Sequence, residues 1–321
     1  MKYIFQLSGE HQELPNAELL SVLETEICGY RIIEEFPRAR IIVIDINTKN
    51  SSFVKRLALT KIAAEYIDSS DNLGKLSDSI YRKIKNSKSF RIRCKSNTVE
   101  SELGALLFKK KLKVNLENPE KEVICFQIDN RIIAGIKIPL KKDFEERKPQ
   151  YRPFFHPTSM HPKIARVLVN LARVKKNDLL LDPFCGTGGI LIEAGLIGLK
   201  LMGFDIDQRM VKGCKRNLKF YKLNGDIKEE NALEFNKKIR VDAIVTDLPY
   251  GRSSYASQKN LKELYRKFLK TAYNILHPNK FLVIILPKEF SINFYGFSIV
   301  ENYDIRVHKS LTRRIWVLKR K

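Results

Sequence analysis

The sequence predicts an α/β protein whose C-terminal half is a doubly wound parallel sheet, with an α+β region before it. Three observations support this prediction. Apolar runs of strand length alternate regularly with helical patterns over residues 154–321, as in parallel sheets with right-handed crossovers. The first 140 residues mix strands and helices without that regular order. Between the two regions, residues 141–153 are rich in charge and proline and are predicted to be a linker.

Length and composition exclude several classes of protein. A chain of 321 residues is long enough for two or three domains, and 44% hydrophobic with 30% charged residues is typical of a soluble globular protein. No apolar run approaches the length of a membrane span, and the N-terminus lacks the pattern of a secretion signal. The five cysteines include no C-x-x-C pair. We therefore expect no metal site, no membrane association and a cytoplasmic location.

The α+β region divides into an N-terminal α/β segment at residues 1–50 and a second part at 51–140. Alternating apolar residues predict strands, and apolar residues at helical spacing predict helices. The first part has predicted strands at 2–7, 31–35 and 40–46 and a helix at 15–25. The second has predicted helices at the segment around Phe53 to Ala58, at 76–85 and at 99–110, and strands at 63–67, 89–94, 113–116, 122–129 and 131–136.

Net charge indicates a polyanionic partner. The chain carries +23 at pH 7 and has a pI of about 9.7. The excess is uneven, because residues 1–75 carry nine Lys and Arg against eleven Asp and Glu, whereas residues 82–113 carry eleven against two. A lysine-rich proteome would raise all segments together. Nucleic acid bound through its phosphates accounts better for an acidic segment beside a basic one.

A glycine-rich turn follows the first strand of the C-terminal region. Residues 179–189, LLLDPFCGTGG, predict a buried strand ending at Asp182, then a turn, then a helix. Gly186 and Gly188 allow positive φ and the close approach of a ligand to the backbone. The spacing matches neither the dinucleotide fingerprint nor the phosphate loop. The next strand ends at Asp205, where a doubly wound fold places a carboxylate for ribose hydroxyls. Alternatively, Asp205 caps the following helix.

The tetrapeptide Asp247-Leu248-Pro249-Tyr250 closes another apolar run, 241–246. An exocyclic base amine is a poor nucleophile because its lone pair is delocalised into the ring. A carboxylate and backbone carbonyls can accept its hydrogens and turn the lone pair toward an electrophile. A tyrosine face beside them can stack on the base. The tetrapeptide is also compatible with a simple turn.

Together these motifs resemble those of class I S-adenosylmethionine-dependent amino methyltransferases. Residues 51–140 resemble a THUMP RNA-binding domain through the helix 76–85, the strand FRIRC at 90–94, the helix 99–110 and the stretch 113–119. The pairing is similar to the tRNA guanine-10 N2-methyltransferases, whose archaeal members can add two methyl groups to one amine. Further matches lie at 154–172, 247–254 and 308–315.

The resemblance implies a fold and a function. The fold is a Rossmann-like sheet of seven strands, the last antiparallel, at 154–321, with residues 1–50 as a ferredoxin-like part before the THUMP domain. The function is methyl transfer from S-adenosylmethionine to N2 of a tRNA guanine. Position 10 is the leading expectation, giving N2-methyl- and then N2,N2-dimethylguanosine. Another tRNA guanine, such as position 6, or ribosomal RNA is the alternative, and a catalytically silent RNA-binding protein is a more distant one.

The resemblance also implies residue roles. Asp182, Gly186 and Gly188 lie beside the methionine portion of the cofactor, and Asp205 holds its ribose. Ile206 packs on the adenine, with Asn231 reading its edge and Ala232 leaving room. Asp247 and the carbonyls of Leu248 and Pro249 orient the guanine amine, and Tyr250 stacks on the flipped base. Two residues depart from the family pattern: Leu248 replaces a common proline, and Asn231 stands where many relatives carry aspartate.

Candidate RNA contacts fall into two groups. Arg91, Arg93 and Lys95 alternate along one predicted strand and therefore share a face. Lys109 and Lys110 end the following helix, where they could instead complement the helix dipole. Near the catalytic motif, the candidates for phosphate contacts are Arg252, Lys309, Arg313 and Arg314.

Two other motifs are assigned structural roles. His156 and His161 lack an acidic or cysteine companion, and His161-Pro162 is typical of a helix start rather than a metal site. Cys185 in the glycine-rich turn is interpreted as a small residue needed there, not as a nucleophile. The sequence indicates tRNA as partner and gives no indication of a protein partner.

Overall fold

The computed structural model describes residues 1–27, 29–48, 50–234, 239–249, 258–290, 292–308 and 311–321. The chain forms two compact units. The N-terminal unit comprises Met1–Glu10, Ile27–Lys55 and Thr60–Lys141. The C-terminal unit comprises His11–Glu26, Arg56–Leu59 and Lys142–Lys321. No helix in the described ranges is both long enough and apolar enough to cross a membrane.

The N-terminal unit is built on one seven-stranded sheet in the order β2-β3-β1-β4-β7-β6-β5. All neighbouring strands are antiparallel except β5 and β6, which are parallel. Two helices, α2 (Leu73–Ile84) and α3 (Asn97–Lys109), bury apolar side chains together with β5, β6 and β7. The strands are β1 (Lys2–Leu7), β2 (Tyr30–Phe36), β3 (Ile41–Ile46), β4 (Thr60–Ser70), β5 (Phe90–Cys94), β6 (Lys121–Ile128) and β7 (Arg131–Ile138).

Side-chain caps fix where α2 and α3 begin. Asn72 and Ser96 precede the helices with extended backbone, and their side chains accept the N–H groups of Lys75 and Val99. Two predicted elements take other forms. The helix expected around Phe53 is a 3-10 helix at Ser52–Arg56, and the strand expected at 113–116 is a single parallel bridge between Phe90 and Val114.

The predicted division at residue 50 lies inside the N-terminal sheet, because β1 pairs with both β3 and β4. The helix α1 (Leu14–Glu26), expected in the first 50 residues, belongs to the C-terminal unit. Its buried Glu18 accepts the backbone N–H groups of Ala58 and Leu59, both at 2.8 Å, and the side-chain amide of Asn170 at 2.7 Å. A buried carboxylate with three donors is a contact that apolar periodicity does not show.

The C-terminal unit contains the predicted doubly wound sheet, with strands in the order β10-β9-β8-β11-β12-β14-β13. Strands from β10 to β12 are parallel, and the last strand, β14, is antiparallel to both neighbours. This confirms the expected seven strands with an antiparallel final one. The strands are β8 (Leu179–Asp182), β9 (Lys200–Asp205), β10 (Asp226–Glu229), β11 (Val241–Asp247), β12 (Leu276–Pro287), β13 (Phe297–His308) and β14 (Leu311–Arg320).

The described part of this unit has four further α-helices: α4 (Pro162–Leu171), α5 (Gly189–Gly195), α6 (Gln208–Phe220) and α7 (Gln258–Ile275). Buried side chains of α4, α5 and α6 form one core cluster, and those of α7 form a second. The predicted alternation of strands and helices therefore produces helices that pack against the parallel sheet in two clusters, as parallel strands require.

Residues 141–153, predicted as a linker, are largely packed into the C-terminal unit. Two short 3-10 helices, Glu145–Arg147 and Pro149–Tyr151, carry buried side chains. Arg147 is 5% exposed and donates from Nε to Glu193 at 2.8 Å, and Glu193 is fully buried in α5. Charged side chains can be buried when they are paired. The charge-rich composition of residues 141–153 therefore suggested a linker although the segment is packed.

Candidate active site

Three aspartates end neighbouring strands at one edge of the C-terminal sheet. Asp205, Asp182 and Asp247 are the last residues of β9, β8 and β11, which are adjacent in that order. In a parallel sheet the carboxyl ends of the strands meet along the same edge, where ligands bind. The fold thus brings together three acidic residues that are far apart in sequence.

Asp182 is buried behind the glycine-rich turn. Its side chain accepts the hydroxyl of Thr246 at 2.7 Å and the backbone N–H of Phe184 at 3.2 Å. Burial raises the pKa of Asp182 to about 7, although both hydrogen bonds favour the ionised form. Asp182 is 2% exposed, and its hydrogen bond to the N–H of Phe184 fixes the start of the turn.

The turn itself leaves backbone open to a ligand. Gly186 and Gly188 have φ of 49° and 82°, the left-handed region that glycine adopts without strain. A Cβ on Gly186 would have no atom of a described residue within 4 Å, so the described part of the chain leaves space beside this peptide. A Cβ on Gly188 would lie 2.6 Å from Sγ of Cys214, so only glycine fits there. The positive φ predicted for the two glycines is therefore present, and among the described residues the space beside the backbone is open at Gly186 but filled by Cys214 at Gly188.

Asp205 ties the turn to β9. One of its oxygens accepts the N–H of Gly186 and the other accepts the N–H of Asp207, both at 2.9 Å. The helix α6 is capped by Asp207, whose side chain accepts the N–H of Arg209 at 2.8 Å. Asp205 is thus not the residue that caps the helix, and it remains beside the turn. Burial raises its pKa above the ordinary value.

The expected adenine contacts lie after the ends of two strands. Ile206 follows Asp205 and is 75% exposed, unusually open for an isoleucine. The N–H of Glu230 donates to the carbonyl of Asp205 at 3.1 Å, which places residues 230–232 near that strand end. Asn231 is exposed and its Oδ1 accepts the N–H of Leu233 at 3.0 Å, while Ala232 is buried.

Asp247 is held by an arginine from the last strand. Nη1 of Arg313 lies 3.0 Å from Oδ2 of Asp247, whose side chain is 19% exposed. Burial raises the pKa of Asp247 to about 6, and Arg313 opposes that rise. Within the described ranges, no group donates a hydrogen bond to the buried Oδ1 of Asp247. Among the described residues, one carboxylate oxygen of Asp247 thus has no donor.

The rest of the tetrapeptide is anchored from α7. Leu248 is fully buried and Pro249 is exposed. The hydroxyl of Tyr265 donates to the carbonyl of Pro249 at 2.6 Å. A carbonyl has two lone pairs, so that oxygen can accept a second hydrogen bond. Tyr250 lies outside the described residues.

The sequence of the chain matches those of known methyltransferases. The RMKL-like family, methyltransferase domain, matches residues 149–314. A tRNA (guanine(10)-N2)-dimethyltransferase of Methanothermobacter thermautotrophicus is 38% identical over the whole of both chains. One of Methanocaldococcus jannaschii is 33% identical over 98% of this chain and 99% of its own. The chain belongs to the tRNA (guanine(10)-N2)-dimethyltransferase family. The fold is also that of TrmN from Thermus thermophilus, with a TM-score of 0.58, 19% identity and full coverage of both chains.

The methyl donor of this family is S-adenosylmethionine, and the site fits it. The space beside Gly186 would leave its backbone accessible to the cofactor, and the carboxylate of Asp205 accepts the N–H of this glycine. Ile206 has an exposed apolar side chain, on which an adenine ring would pack. No cluster of potential metal ligands occurs within the described residues. His161 caps α4 instead, since its Nδ1 accepts the N–H of Lys163 at 3.2 Å.

The cations predicted to contact RNA differ in availability. Arg91 donates to Oε1 of Glu122 at 2.7 Å and to the carbonyl of Leu116 at 2.6 Å, so its guanidinium is engaged within the unit. Arg93 pairs with Glu100 at 3.3 Å but its side chain is 49% exposed. Lys95 and Lys109 are exposed, whereas Lys110 lies 2.6 Å from Asp78.

Near the catalytic motif, ion pairs engage both described candidates. Arg313 pairs with Asp247 and is 15% exposed, and Arg314 donates to Asp304 at 2.6 Å. Arg252 and Lys309 lie outside the described residues. Sequence reasoning missed Thr246 and Tyr265 as site residues, because both occupy positions typical of core strand and helix faces.

Proposed function

We propose that this protein transfers methyl groups from S-adenosylmethionine to N2 of the guanine at position 10 of tRNA, first once and then twice. The observation that carries the proposal is the buried Oδ1 of Asp247, which accepts no hydrogen bond from any described residue and lies at the same sheet edge as the glycine-rich turn. The full-length identity to relatives named for dimethylation at guanine 10 supports the position and the number of methyl groups.

S-adenosylmethionine supplies a sulfonium-bound methyl group, which is already a strong electrophile. The protein's residues then have to bind and align. The backbone at Gly186 and Gly188 and the carboxylate of Asp205 hold the donor, with Ile206 and Asn231 on its adenine. Asp182 helps to hold the glycine-rich turn in place, because its carboxylate accepts the N–H of Phe184.

Asp247 and the carbonyls of Leu248 and Pro249 accept the hydrogens of the guanine amine. Accepting those hydrogens turns the nitrogen lone pair out of the ring plane and toward the methyl group. Arg313 favours the ionised form of Asp247, which is the form that accepts. Tyr265 fixes the Pro249 carbonyl, so that acceptor does not have to be ordered when the substrate binds.

We assign tRNA binding to the N-terminal part of the chain, with a THUMP domain at residues 51–140. The excess of cations at residues 82–113 supports this assignment, since phosphate contacts dominate affinity for nucleic acids. The side chains of Arg93, Lys95 and Lys109 are among its exposed members. We expect the enzyme to act in the cytoplasm.

A second candidate is the same chemistry at another guanine. A protein named tRNA (guanine(6)-N2)-methyltransferase, from Methanocaldococcus jannaschii, is 28% identical over 63% of this chain. Incubating unmodified tRNA with labelled S-adenosylmethionine, followed by nucleoside analysis, tests both candidates. Two matched transcripts, one lacking guanine 10 and one lacking guanine 6, locate the label. We expect N2-methylated and N2,N2-dimethylated guanosine, lost only from the transcript without guanine 10.

The variant Asp247→Asn tests the role of the carboxylate. It keeps the size of the side chain and removes its charge. We expect methylation to fall by about 100-fold or more, while the Kd for S-adenosylmethionine stays unchanged. Full activity in Asp247→Asn would remove Asp247 from the mechanism, and label at guanine 6 alone would move the assignment to the second candidate.

A further inference from the structure

A single asparagine links the glycine-rich turn to the residues before α4. Asn217 lies on α6 and is fully buried. Its Nδ2 donates to the carbonyls of Thr187 and Phe154, both at 2.9 Å, and its Oδ1 accepts the N–H of Phe154 at 2.9 Å. We call residues 154–159, which begin with Phe154, the strap. One side-chain amide therefore holds both the strap and the turn.

The other end of the strap meets the turn at the same residue. The hydroxyl groups of Ser159 and Thr187 lie 2.9 Å apart. Within the strap, the N–H of Ser159 donates to the carbonyl of His156 at 3.0 Å. Thr187 is thus bonded through its carbonyl to Asn217 and through its hydroxyl to Ser159. The strap closes a ring of hydrogen bonds around the last part of the turn.

The surface of α6 is shaped to receive these two segments. One turn before Asn217, a Cβ on Gly213 would lie 2.0 Å from the ring of Phe154. The ring therefore packs directly on the helix backbone. On the next residue, Sγ of Cys214 occupies the position where Gly188 would carry a Cβ. The absence of a side chain at Gly213 leaves room for the ring of Phe154, and its absence at Gly188 leaves room for the side chain of Cys214.

We propose that Asn217 is a positioning residue for S-adenosylmethionine. It holds the strap and the glycine-rich turn, residues 183–188, in the arrangement that binds the donor. The inference rests on the proposed function, because it takes that turn as the cofactor site. A ligand binds more tightly when the segments around it are ordered beforehand, since the ordering does not have to occur on binding. Without Asn217, the strap and the turn lose three hydrogen bonds that join them.

The variant Asn217→Ala tests this role against a matched control. Asn170 on α4 is also fully buried and also makes three hydrogen bonds, to Glu18 and to two atoms of Arg56. The variant Asn170→Ala removes an equivalent set of bonds away from the turn. We expect both variants to lower Tm, and only Asn217→Ala to raise the Kd for S-adenosylmethionine, by about 10-fold, in calorimetric titration without tRNA.

A second pair of variants reaches the strap without changing Asn217. Gly213→Ala places a methyl group where the ring of Phe154 lies, and should also raise the Kd for S-adenosylmethionine. The double variant Gly213→Ala with Phe154→Ala removes the clash and keeps the backbone bonds of residue 154. It should restore most of the affinity, which a simple loss of stability would not do.

The outcomes separate this inference from the proposed function. An Asn217→Ala or Gly213→Ala protein with lower Tm and wild-type Kd would show a purely structural role and overturn the inference alone. Failure of the wild-type protein to bind S-adenosylmethionine would overturn the proposed function and the inference together. Equal weakening of binding in Asn217→Ala and Asn170→Ala would also overturn the inference, since it would trace to general destabilisation.

Discussion

Nη1 of Arg313 lies 3.0 Å from Oδ2 of Asp247, at the carboxyl edge of the C-terminal sheet. The antiparallel last strand explains this contact. Arg313 stands opposite Pro287 at the end of β12, and Asp247 stands opposite Ile285 on the other side of that strand. Because β14 runs against its neighbours, its first residues reach the edge where the parallel strands end. A seventh strand in the parallel direction would place them at the opposite edge.

This pairing predicts the pH dependence of the Arg313→Gln variant. Burial raises the pKa of Asp247 to about 6, and Arg313 lowers it. Removing the guanidinium therefore raises the pKa further, and the ionised, hydrogen-accepting form is reached only at higher pH. We expect the acidic limb of kcat/KM to shift upward by about one pH unit or more. Profiles of methylation rate from pH 5 to 9 measure the shift.

Arg314→Gln is the matched control for that shift. The neighbouring arginine pairs with Asp304 rather than with Asp247. Its loss can weaken tRNA binding, but it should leave the midpoint of the acidic limb in place. Identical midpoints for wild type and Arg313→Gln would contradict the assigned role of Arg313.

The variant Tyr265→Phe should lower kcat and leave the Kd for S-adenosylmethionine unchanged. Tyr265→Phe removes the 2.6 Å hydrogen bond to the Pro249 carbonyl and keeps the buried ring. Loss of one such bond, worth about 1 kcal/mol, should lower kcat about fivefold, because that carbonyl is then less well placed for the amine.

Tyr273→Phe, on the same helix, is the control for Tyr265→Phe. Tyr273 packs edge-on against the rings of Tyr295 and Phe297, away from the tetrapeptide. Single-turnover kinetics with saturating S-adenosylmethionine should separate the two variants. A wild-type rate for Tyr265→Phe would mean that the Pro249 carbonyl does not orient the substrate.

The sequence predicts the parts of the site that are local in the chain. A strand, a glycine-rich turn and a helix define the position of Asp182, and the ends of two more apolar runs define Asp205 and Asp247. Parallel strands then bring those ends to one edge. Each of these steps depends on residues that are neighbours in sequence, so the periodic pattern is sufficient.

Contacts between distant strands and helices could not be predicted in the same way. The bond between Arg313 and Asp247 depends on strand order, and the bonds of Asn217 depend on how α6 packs. The buried pair of Arg147 and Glu193 made residues 141–153 resemble a linker. Charged residues are normally exposed, and only the folded chain shows which of them are paired.

Asp182 predicts a dependence of stability on pH. Its pKa is about 7 in the folded protein against an ordinary value of 3.8, because the charged form is buried. The folded protein keeps the proton of Asp182 at pH values where the unfolded chain has already lost it. The free energy of unfolding is therefore highest below about pH 4 and falls as pH rises from about 4 to 7. The side chain of asparagine is neutral at every pH, so Asp182→Asn should remove this fall in the free energy of unfolding, which is at most about 4 kcal/mol.

Unfolding by urea, without cofactor, between pH 4 and pH 8 measures this difference. The free energy of unfolding of Asp182→Asn relative to wild type should increase from pH 4 to about pH 7 and level off above it. Thr246→Val serves as a companion, because it removes a hydrogen bond that lowers the pKa of Asp182. In that variant the loss of stability should extend to higher pH. A constant difference between Asp182→Asn and wild type would contradict the assignment.

The N-terminal cations should separate into those that bind tRNA and those that support the fold. Arg93 and Lys95 are exposed, so replacing both by alanine should weaken tRNA binding and reduce the slope of log K against log salt by roughly two. Arg91 is engaged by Glu122 and the carbonyl of Leu116. Arg91→Ala should therefore mainly lower Tm, since it removes one of the two cations paired with Glu122.

Filter binding over a series of salt concentrations gives the slopes, and calorimetric titration gives the Kd for S-adenosylmethionine as an internal control. The cofactor affinity should be the same in all three proteins, because the residues proposed to bind the cofactor belong to the C-terminal unit. If Arg93→Ala with Lys95→Ala retained the wild-type salt slope, Arg93 on β5 and Lys95 just after it would not contact phosphates. The assignment of tRNA binding would then pass to Lys109 and the other exposed cations of residues 82–113.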